Sequence, residues 1–183
     1  MSLVITGNPG VGKHTIANII ATKLNSEICD INKIALESNF YEKNNGVIDV
    51  DVKKIKRYLK KKVLKNSITV GHLAPYVLSK DQVSKVIILR KNPYKLNSIY
   101  KKRRYSKKKS IENLDSEILG IIAYDSMKEF GKTKCIQIDT TNKTIKKTVQ
   151  DVMKAANGNK KSDNVDWLSL IADKDHLKKF FSY

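Results

Sequence analysis

The 183-residue sequence has little of several residue types, and each shortage narrows the possibilities. Its two cysteines, Cys29 and Cys135, are far apart and form no Cys-x-x-Cys pair, which favours two reduced core residues over a disulfide or a metal site. No apolar run approaches the roughly 20 residues of a membrane span, and the start resembles a strand, not a signal peptide. With 40% hydrophobic residues, these features predict one cytoplasmic α/β domain that needs no membrane.

Acidic residues are also scarce, with 18 Asp and Glu against 36 Lys and Arg, so the formal net charge is +18. A basic surface attracts polyanions because binding releases their counterions, so nucleic acid or a ribonucleoprotein is a candidate partner. A lysine-rich proteome or a high-salt cytoplasm would give the same composition, and charge alone leaves both explanations open. The densest basic stretch is a helix predicted over residues 51–65, whose polar surface is either a solvated face or a nucleic-acid contact.

The most informative stretch is N-terminal, where a short apolar strand precedes a glycine-rich turn and an amphipathic pattern. Gly7, Gly12 and Lys13 meet the spacing G-x-x-x-x-G-K. Glycines let backbone N–H groups converge on a phosphate, and the following helix adds the positive end of its dipole. Lys13 supplies a charge that reaches the β- and γ-phosphates of ATP. The stretch therefore predicts a phosphate-binding loop, called the P-loop below.

One P-loop position departs from the motif. The residue after the lysine ordinarily carries a hydroxyl that holds Mg²⁺, but here it is His14, followed by Thr15. We expect His14 to be a spacer or a neighbour of a phosphate. For Thr15 two arrangements remain open: its hydroxyl holds Mg²⁺, or it contacts a phosphate while water completes the metal shell.

The rest of the chain alternates short β-branched runs with helical patterns, which predicts a five-stranded parallel sheet with helices on both faces. After the first strand, further strands are expected at residues 27–31, 67–70, 85–89 and 135–139, and one long helix is expected over residues 111–130. Ligands of such sheets bind beyond the carboxyl ends of the strands, which places His72 at the edge of the site; structural and functional roles are both open for it. Residues 157–164 are predicted to be a flexible joint before a short helical tail.

Several segments, taken in order, resemble the archaeal and eukaryotic atypical adenylate kinases, also called adenylate kinase isoenzyme six or the ribosome-assembly ATPase type. The segments span residues 1 to about 170. They are residues 7–15, Gly71-His72-Leu73, Ile88-Leu89-Arg90 with Asn92-Pro93, Arg103-Arg104-Tyr105-Ser106 with Glu112-Asn113 and Glu117, residues 138–144, and Val165-Asp166-Trp167.

The resemblance implies a P-loop NTPase fold of the nucleoside-monophosphate-kinase type. Residues 1–156 would form the kinase domain, with an AMP-binding segment at about 30–50 and a short lid at about 103–113, and residues 157–183 would form a tail. It further implies catalytic roles for Lys13, His72 and Arg103. The residues implied in ATP binding are Gly7, Gly10, Val11, Gly12, Lys13, His14, Thr15, Arg90, Arg103, Arg104, Asn142 and Lys143, with Thr15 also the metal ligand.

The implied activity is phosphoryl transfer from ATP to AMP with Mg²⁺, giving two ADP, together with ATP hydrolysis linked to maturation of the small ribosomal subunit. The implied partners are a platform protein of that subunit and rRNA. An alternative is a nucleotide-gated assembly factor with little AMP kinase activity, and a third is a P-loop kinase for another small acceptor. The family usually has an acid two residues before His72, where this chain has Val70. Because both usual Mg²⁺ anchors are altered, we expect weak metal binding and slow turnover.

Overall fold

A computed structural model describes residues 1–44, 47–62 and 64–181 of the chain. The strands are β1 (Ser2–Thr6), β2 (Glu27–Asp30), β3 (Tyr41–Asn44), β4 (Val47–Val50), β5 (Ser67–Val70), β6 (Val83–Arg90) and β7 (Cys135–Asp139). The helices are α1 (Lys13–Leu24), α2 (Ile31–Glu37), α3 (Val52–Lys61), α4 (Ala74–Val77), α5 (Pro93–Lys102), α6 (Lys107–Ile118), α7 (Ile121–Phe130), α8 (Ile145–Ala156), α9 (Trp167–Ala172) and α10 (Leu177–Phe180). Across the described ranges, no helix combines the length and apolarity that a bilayer span requires.

The main sheet confirms the predicted five parallel strands, in the order β2-β5-β1-β6-β7. β1 is central, so the P-loop that follows it leaves the middle of the carboxyl edge. In this register Asp30, the last residue of β2, lies beside Val70, the last residue of β5. The carboxyl edge therefore brings the P-loop together with the ends of β2, β5 and β6.

Helices cover both faces of the sheet, because successive strand residues point to opposite sides. Ile5 of β1 packs with residues of α1, α5, α6 and α8, whereas its neighbour Val4 packs with residues of α2, α3, α4 and α7. Cys29 and Cys135 are both buried in the second of these cores, in line with the prediction of core residues.

The long helix predicted over residues 111–130 is wrong, because the structure has two helices there. Gly120 adopts a φ of +67°, a left-handed conformation that ends the path of α6, and α7 begins at the next residue. α6 also begins earlier than predicted, since the Ser106 hydroxyl accepts a hydrogen bond from the Lys109 N–H and caps its first turn. Glycine at position 120 was the available signal for the break.

The flexible joint predicted at residues 157–164 is also wrong. β7 is an edge strand, and its exposed backbone groups bind this segment: the Asp163 N–H donates to the Gln137 carbonyl at 2.9 Å, and the Gln137 N–H donates to the Ser162 hydroxyl at 2.9 Å. The tail beyond it packs on the body, where Ile171 and Phe180 are buried with the first core.

The segment predicted to bind AMP, residues 30–50, contains α2 and an antiparallel hairpin of β3 and β4. The hairpin was not predicted from the polar composition of this stretch. The sequence Asn44-Asn45-Gly46 predicts a turn, and Val63 continues the apolar pattern of the helix predicted over residues 51–65. Residues 45–46 and Val63 lie outside the described residues.

Candidate functional site

The P-loop, residues 7–12, has the backbone conformation that its glycines were expected to allow. Gly7 has a φ of +136°, and a Cβ there would lie 2.3 Å from the Leu89 carbonyl oxygen, so the loop packs tightly against β6. Gly12 has a φ of +97°, and a Cβ there would meet nothing within 4 Å. Gly7 is therefore required by packing, whereas Gly12 leaves open space at the N-terminus of α1, where a phosphate would bind.

The P-loop is held from outside by side chains of α5, of α6 and of the turn between them. The Tyr100 hydroxyl donates to the Pro9 carbonyl at 2.7 Å. The Tyr105 ring stacks on the Tyr100 ring with centroids 5.3 Å apart. The Asn8 amide donates to the Glu117 carboxylate at 2.8 Å. These contacts restrict the loop before any ligand binds, which lowers the entropic cost of binding.

Lys13 is 5% exposed, and its ammonium lies 3.4 Å from the Asn8 carbonyl oxygen. Burial, together with the positive charge of Arg103, lowers the pKa of Lys13 to about 8, while Asp30 opposes the shift. A buried ammonium without a full counter-charge is costly. An anion bound at the P-loop would supply that counter-charge.

The two predicted lid arginines lie at the junction of α5 and α6. Arg103 caps α5, is exposed and is close enough to Lys13 to affect its pKa. Arg104 is exposed with a φ of +54°, a left-handed conformation that explains why a glycine would suit this position. Residues 103–106 form the turn between the helices, and the remainder of the predicted lid belongs to α6.

His14 and His72 lie near Lys13. The His14 Nε2 is 3.3 Å from the Asp30 Oδ2. Burial raises the pKa of Asp30, but hydrogen bonds from His14 and from the Lys33 N–H outweigh it, so the pKa is lowered. Burial, followed by the charges of Lys13 and His14, lowers the pKa of His72 to about 4. His72 is therefore neutral at physiological pH, and its imidazole can accept one hydrogen bond and donate another.

A cavity of about 230 Å³ is lined in part by P-loop residues, and Lys13, His14 and His72 are not part of its lining. Its lining includes Thr15, which is exposed, but neither His14 nor Asp30. Lys143 also lines it and forms ion pairs with Asp151 at 2.9 Å and with Asp163 at 3.1 Å. Asn142 is exposed but is not part of the lining. The residues around the cavity are Gly10, Val11, Gly12, Thr15, Ile16, Lys91, Ile99, Thr140, Lys143, Ile145 and Thr148.

The structure does not support the predicted phosphate contact of Arg90. This arginine is 4% exposed, and its Nε donates to the Glu117 Oε1 at 2.8 Å. Its two terminal nitrogens donate to the Gln137 Oε1 at 2.6 Å and to the Glu117 carbonyl at 2.7 Å. The guanidinium is thus engaged by internal acceptors, which makes Arg90 a structural residue at the end of β6.

Three residues near the site were not assigned roles from the sequence. Asp30 is the carboxylate beside Lys13 and His14, and its position at the end of a predicted strand was a usable signal. Lys91 lines the cavity and donates to the Thr140 carbonyl at 3.0 Å, but a single lysine in a lysine-rich chain gives no signal. Glu117 follows Leu114 and precedes Ile118 on the buried side of α6, so an acid on an apolar helix face was the signal.

The basic face predicted on α3 is present. Ile55 and Leu59 are buried, and the cations on the rest of the helix and just after it are exposed. These exposed cations are Lys53, Lys54, Lys56, Arg57, Lys60, Lys61, Lys62 and Lys65.

Comparison with solved structures supports the fold. The chain is similar to a gluconokinase from Sinorhizobium meliloti, with a TM-score of 0.58 and 13% identity over 86% of this chain and 91% of that chain. It is also similar to a shikimate kinase from Bacteroides thetaiotaomicron, with a TM-score of 0.54 and 16% identity over 86% of this chain and 98% of that chain. The fold is that of a P-loop NTPase of the kinase type.

Comparison of sequences gives the family. The AAA_18 family model, described as an AAA domain, matches residues 3–120. A protein of Pyrococcus abyssi named "Putative adenylate kinase" is 32% identical over 84% of this chain and 82% of its own length. One of the same name from Methanocaldococcus jannaschii is 30% identical over 100% of this chain and 97% of its own length. The chain therefore belongs to the AAA_18 family and shares an adenylate-kinase-like family with these archaeal proteins.

Proposed function

We propose that this protein is a nucleotide kinase that transfers the γ-phosphoryl group of ATP to AMP, giving two ADP, with ATP hydrolysis as a side activity. The observation that carries the proposal is the P-loop: an open position at Gly12 lies next to Lys13, whose pKa is lowered to about 8 by burial and then by the charge of Arg103. The relatives named above support the nucleotide class. A triphosphate would neutralise Lys13 and Arg103 together.

The base of ATP is proposed to bind in the cavity that Thr15 lines. Isoleucines line it together with lysine and threonine side chains, a combination that suits the apolar faces and polar edge of a purine. Lys143 is held in place by two carboxylates, so it presents a fixed donor. We propose that Asn142 and Lys143 act near the base, and that Thr15 contacts a phosphate.

The chemistry requires positioning and charge compensation more than covalent work by the protein. An oxygen of the AMP phosphate would attack the γ-phosphorus of ATP, and the bond from that phosphorus to the β–γ bridging oxygen would break, releasing ADP. Lys13 and Arg103 would stabilise charge on the transferring group. Neutral His72 would orient the acceptor or, when AMP is absent, a water molecule.

The donor set near the P-loop fits Mg²⁺, which prefers oxygen ligands and retains several waters. The Asp30 carboxylate, which lies beside His14, is the group proposed to hold it, directly or through water, while Thr15 contacts a phosphate. Mg²⁺ supplies neutralisation of phosphate charge when it is bound. Since Asp30 is already engaged by His14 and by two N–H groups of α2, we still expect weak metal binding.

The proposal is tested by ATP turnover of the purified protein with Mg²⁺, with and without AMP, with ADP and inorganic phosphate resolved. We expect two ADP per ATP consumed when AMP is present and slow phosphate release when it is absent. Lys13→Met is the control and should abolish both. Replacing AMP with other nucleoside monophosphates, shikimate or gluconate tests the acceptor, and turnover with one of these but not with AMP would overturn the adenylate kinase assignment.

A nucleotide-gated role in ribosome assembly is a second candidate, favoured by the exposed basic face of α3. If this face contacts rRNA, changing Lys53, Lys56, Lys60 and Lys61 to glutamine should weaken RNA binding and flatten its salt dependence, while AMP phosphorylation is retained. Removing four exposed lysines elsewhere, Lys23, Lys128, Lys154 and Lys178, is the control for net charge. An equal loss of RNA binding in both variants would contradict a specific role for α3.

A further inference from the structure

Glu117, near the end of α6, is fully buried, and its carboxylate joins three separate parts of the chain. Its Oε2 accepts from the Asn8 side-chain amide at 2.8 Å. Its Oε1 accepts from the Arg90 Nε at 2.8 Å, the Lys91 N–H at 3.0 Å and the Trp167 indole N–H at 3.0 Å. The P-loop, the end of β6 and the C-terminal tail therefore share one carboxylate.

A buried carboxylate is stable only when its oxygens are fully hydrogen-bonded and its charge is paired. Arg90 supplies the pairing charge, and the other donors complete the shell. Removing any one donor leaves the remaining ones to rearrange around an under-coordinated anion. The position of Asn8 thus depends on contacts that Glu117 makes elsewhere, including the contact with Trp167.

Asn8 connects this network to the reactive end of the P-loop. It is 3% exposed, and its carbonyl oxygen lies 3.4 Å from the Lys13 ammonium. Glu117 accepts a hydrogen bond from the side chain of Asn8, and Lys13 donates to the backbone carbonyl of the same residue. Asn8 therefore links Glu117 directly to Lys13. Glu117 therefore influences the orientation of the Lys13 ammonium through Asn8, without itself contacting a ligand.

Trp167 brings the tail into the same network. It is the single tryptophan of the chain, begins α9 and is 9% exposed. Asp166 caps α9 by accepting from the Ser169 N–H at 3.0 Å, which sets the position of the indole. Ile171 of the same helix is buried in the first core.

We propose that Glu117 is a positioning residue for ATP binding, and that Trp167 of the C-terminal tail acts through it and Asn8 on Lys13. This proposal rests on nucleotide binding at the P-loop, the first element of the proposed function. When the Lys13 ammonium binds phosphates, the Asn8 carbonyl loses its hydrogen bond from Lys13. The resulting shift of Asn8 would alter its hydrogen bond to Glu117, and through Glu117 the hydrogen bond of the Trp167 indole. Nucleotide binding should therefore be visible in the fluorescence of Trp167.

The test measures the Kd for ATP, by equilibrium dialysis, in the full-length protein and its variants. Trp167→Phe keeps the aromatic ring and removes the N–H donor, and we expect its Kd to rise about three- to tenfold, part of what one hydrogen bond to a charged acceptor is worth. Ile171→Val, in the same helix, is the matched control: it should lower thermal stability while the Kd stays within twofold. Equal changes of Kd in both variants, or none in Trp167→Phe, would overturn the proposal.

A double-mutant cycle tests the route. Asn8→Ala should weaken ATP binding by itself, and Trp167→Phe should add little in that background if its effect passes through Asn8. Additive effects would overturn the route. Saturating ATP should also change wild-type Trp167 emission, and should not do so in Asn8→Ala. Failure of the wild-type protein to bind ATP at all would instead overturn the proposed function, so the two failures are distinct.

Discussion

Replacing Lys13 with methionine should make the ligand-free protein more stable while abolishing ATP binding. A pKa of about 8 in place of 10.5 corresponds to roughly 3 kcal/mol of unfavourable interaction for the charged ammonium near pH 7. Methionine retains the apolar stem and removes the charge. We therefore expect the free energy of unfolding to rise by about 1 to 3 kcal/mol, since some of the stem's packing will change.

The pH dependence distinguishes this cause from simple hydrophobic gain. Between pH 8 and pH 10.5 the unfolded chain still holds the Lys13 proton, whereas the folded protein releases it. The free energy of unfolding of the wild type therefore rises with pH in this range. The stability difference between Lys13→Met and the wild type should fall by about 2 kcal/mol between pH 7 and pH 9.5, because the wild type gains that amount as its folded form releases the proton. Urea unfolding at both pH values measures it. A variant less stable than wild type at pH 7, or an advantage independent of pH, would refute the reasoning.

Three further predictions follow from the local geometry. Gly7→Ala should lower the free energy of unfolding by more than about 2 kcal/mol because its Cβ meets the Leu89 carbonyl, whereas Gly12→Ala should cost only about 1 kcal/mol and yet abolish ATP binding; equal stability losses in urea unfolding would contradict this contrast. Arg104→Gly should be neutral or stabilising by up to about 1 kcal/mol because it relieves a left-handed residue, and a clear loss of thermal stability would argue against strain at this position. Because the pKa of His72 is about 4, the pH–rate profiles of the wild type and of His72→Gln should have the same shape between pH 5.5 and 8. A change of rate near pH 6.5 that is present in the wild type and lost in the variant would show that the His72 imidazole is protonated in this range. The free energy of unfolding should also fall as the pH drops from 6.5 towards 4, since only the unfolded chain then takes up the His72 proton.

The P-loop could be predicted from sequence because its requirements are local. Gly7, Gly12 and Lys13 act through backbone conformation and a single side chain, within one strand–turn–helix unit. The parallel sheet followed from short β-branched strands for the same reason. Asp30 is a residue whose role could be predicted only in part. It ends β2 and its side chain caps α2, which are local features, but its contact with His14 depends on tertiary structure.

The misassigned residues depend on contacts distant in sequence. Arg90 has the charge and the strand-end position of a phosphate ligand, yet Glu117, in another helix, engages its guanidinium. The polar segment before the tail has the composition of a flexible joint, but an unpaired edge of β7 binds it through Asp163. In both cases the sequence shows which hydrogen-bonding groups are present, but it does not show which partners bind them in the folded protein.

In the proposed reaction, the P-loop delivers the γ-phosphoryl group of ATP to AMP. The most direct test is a single-turnover experiment with ATP labelled at its γ-phosphate, excess protein, Mg²⁺ and AMP. The label should appear in ADP, at the phosphate newly joined to AMP, and this product should be absent in Lys13→Met. Label found only in inorganic phosphate, at a rate that AMP does not change, would contradict the claim and leave a hydrolase in its place.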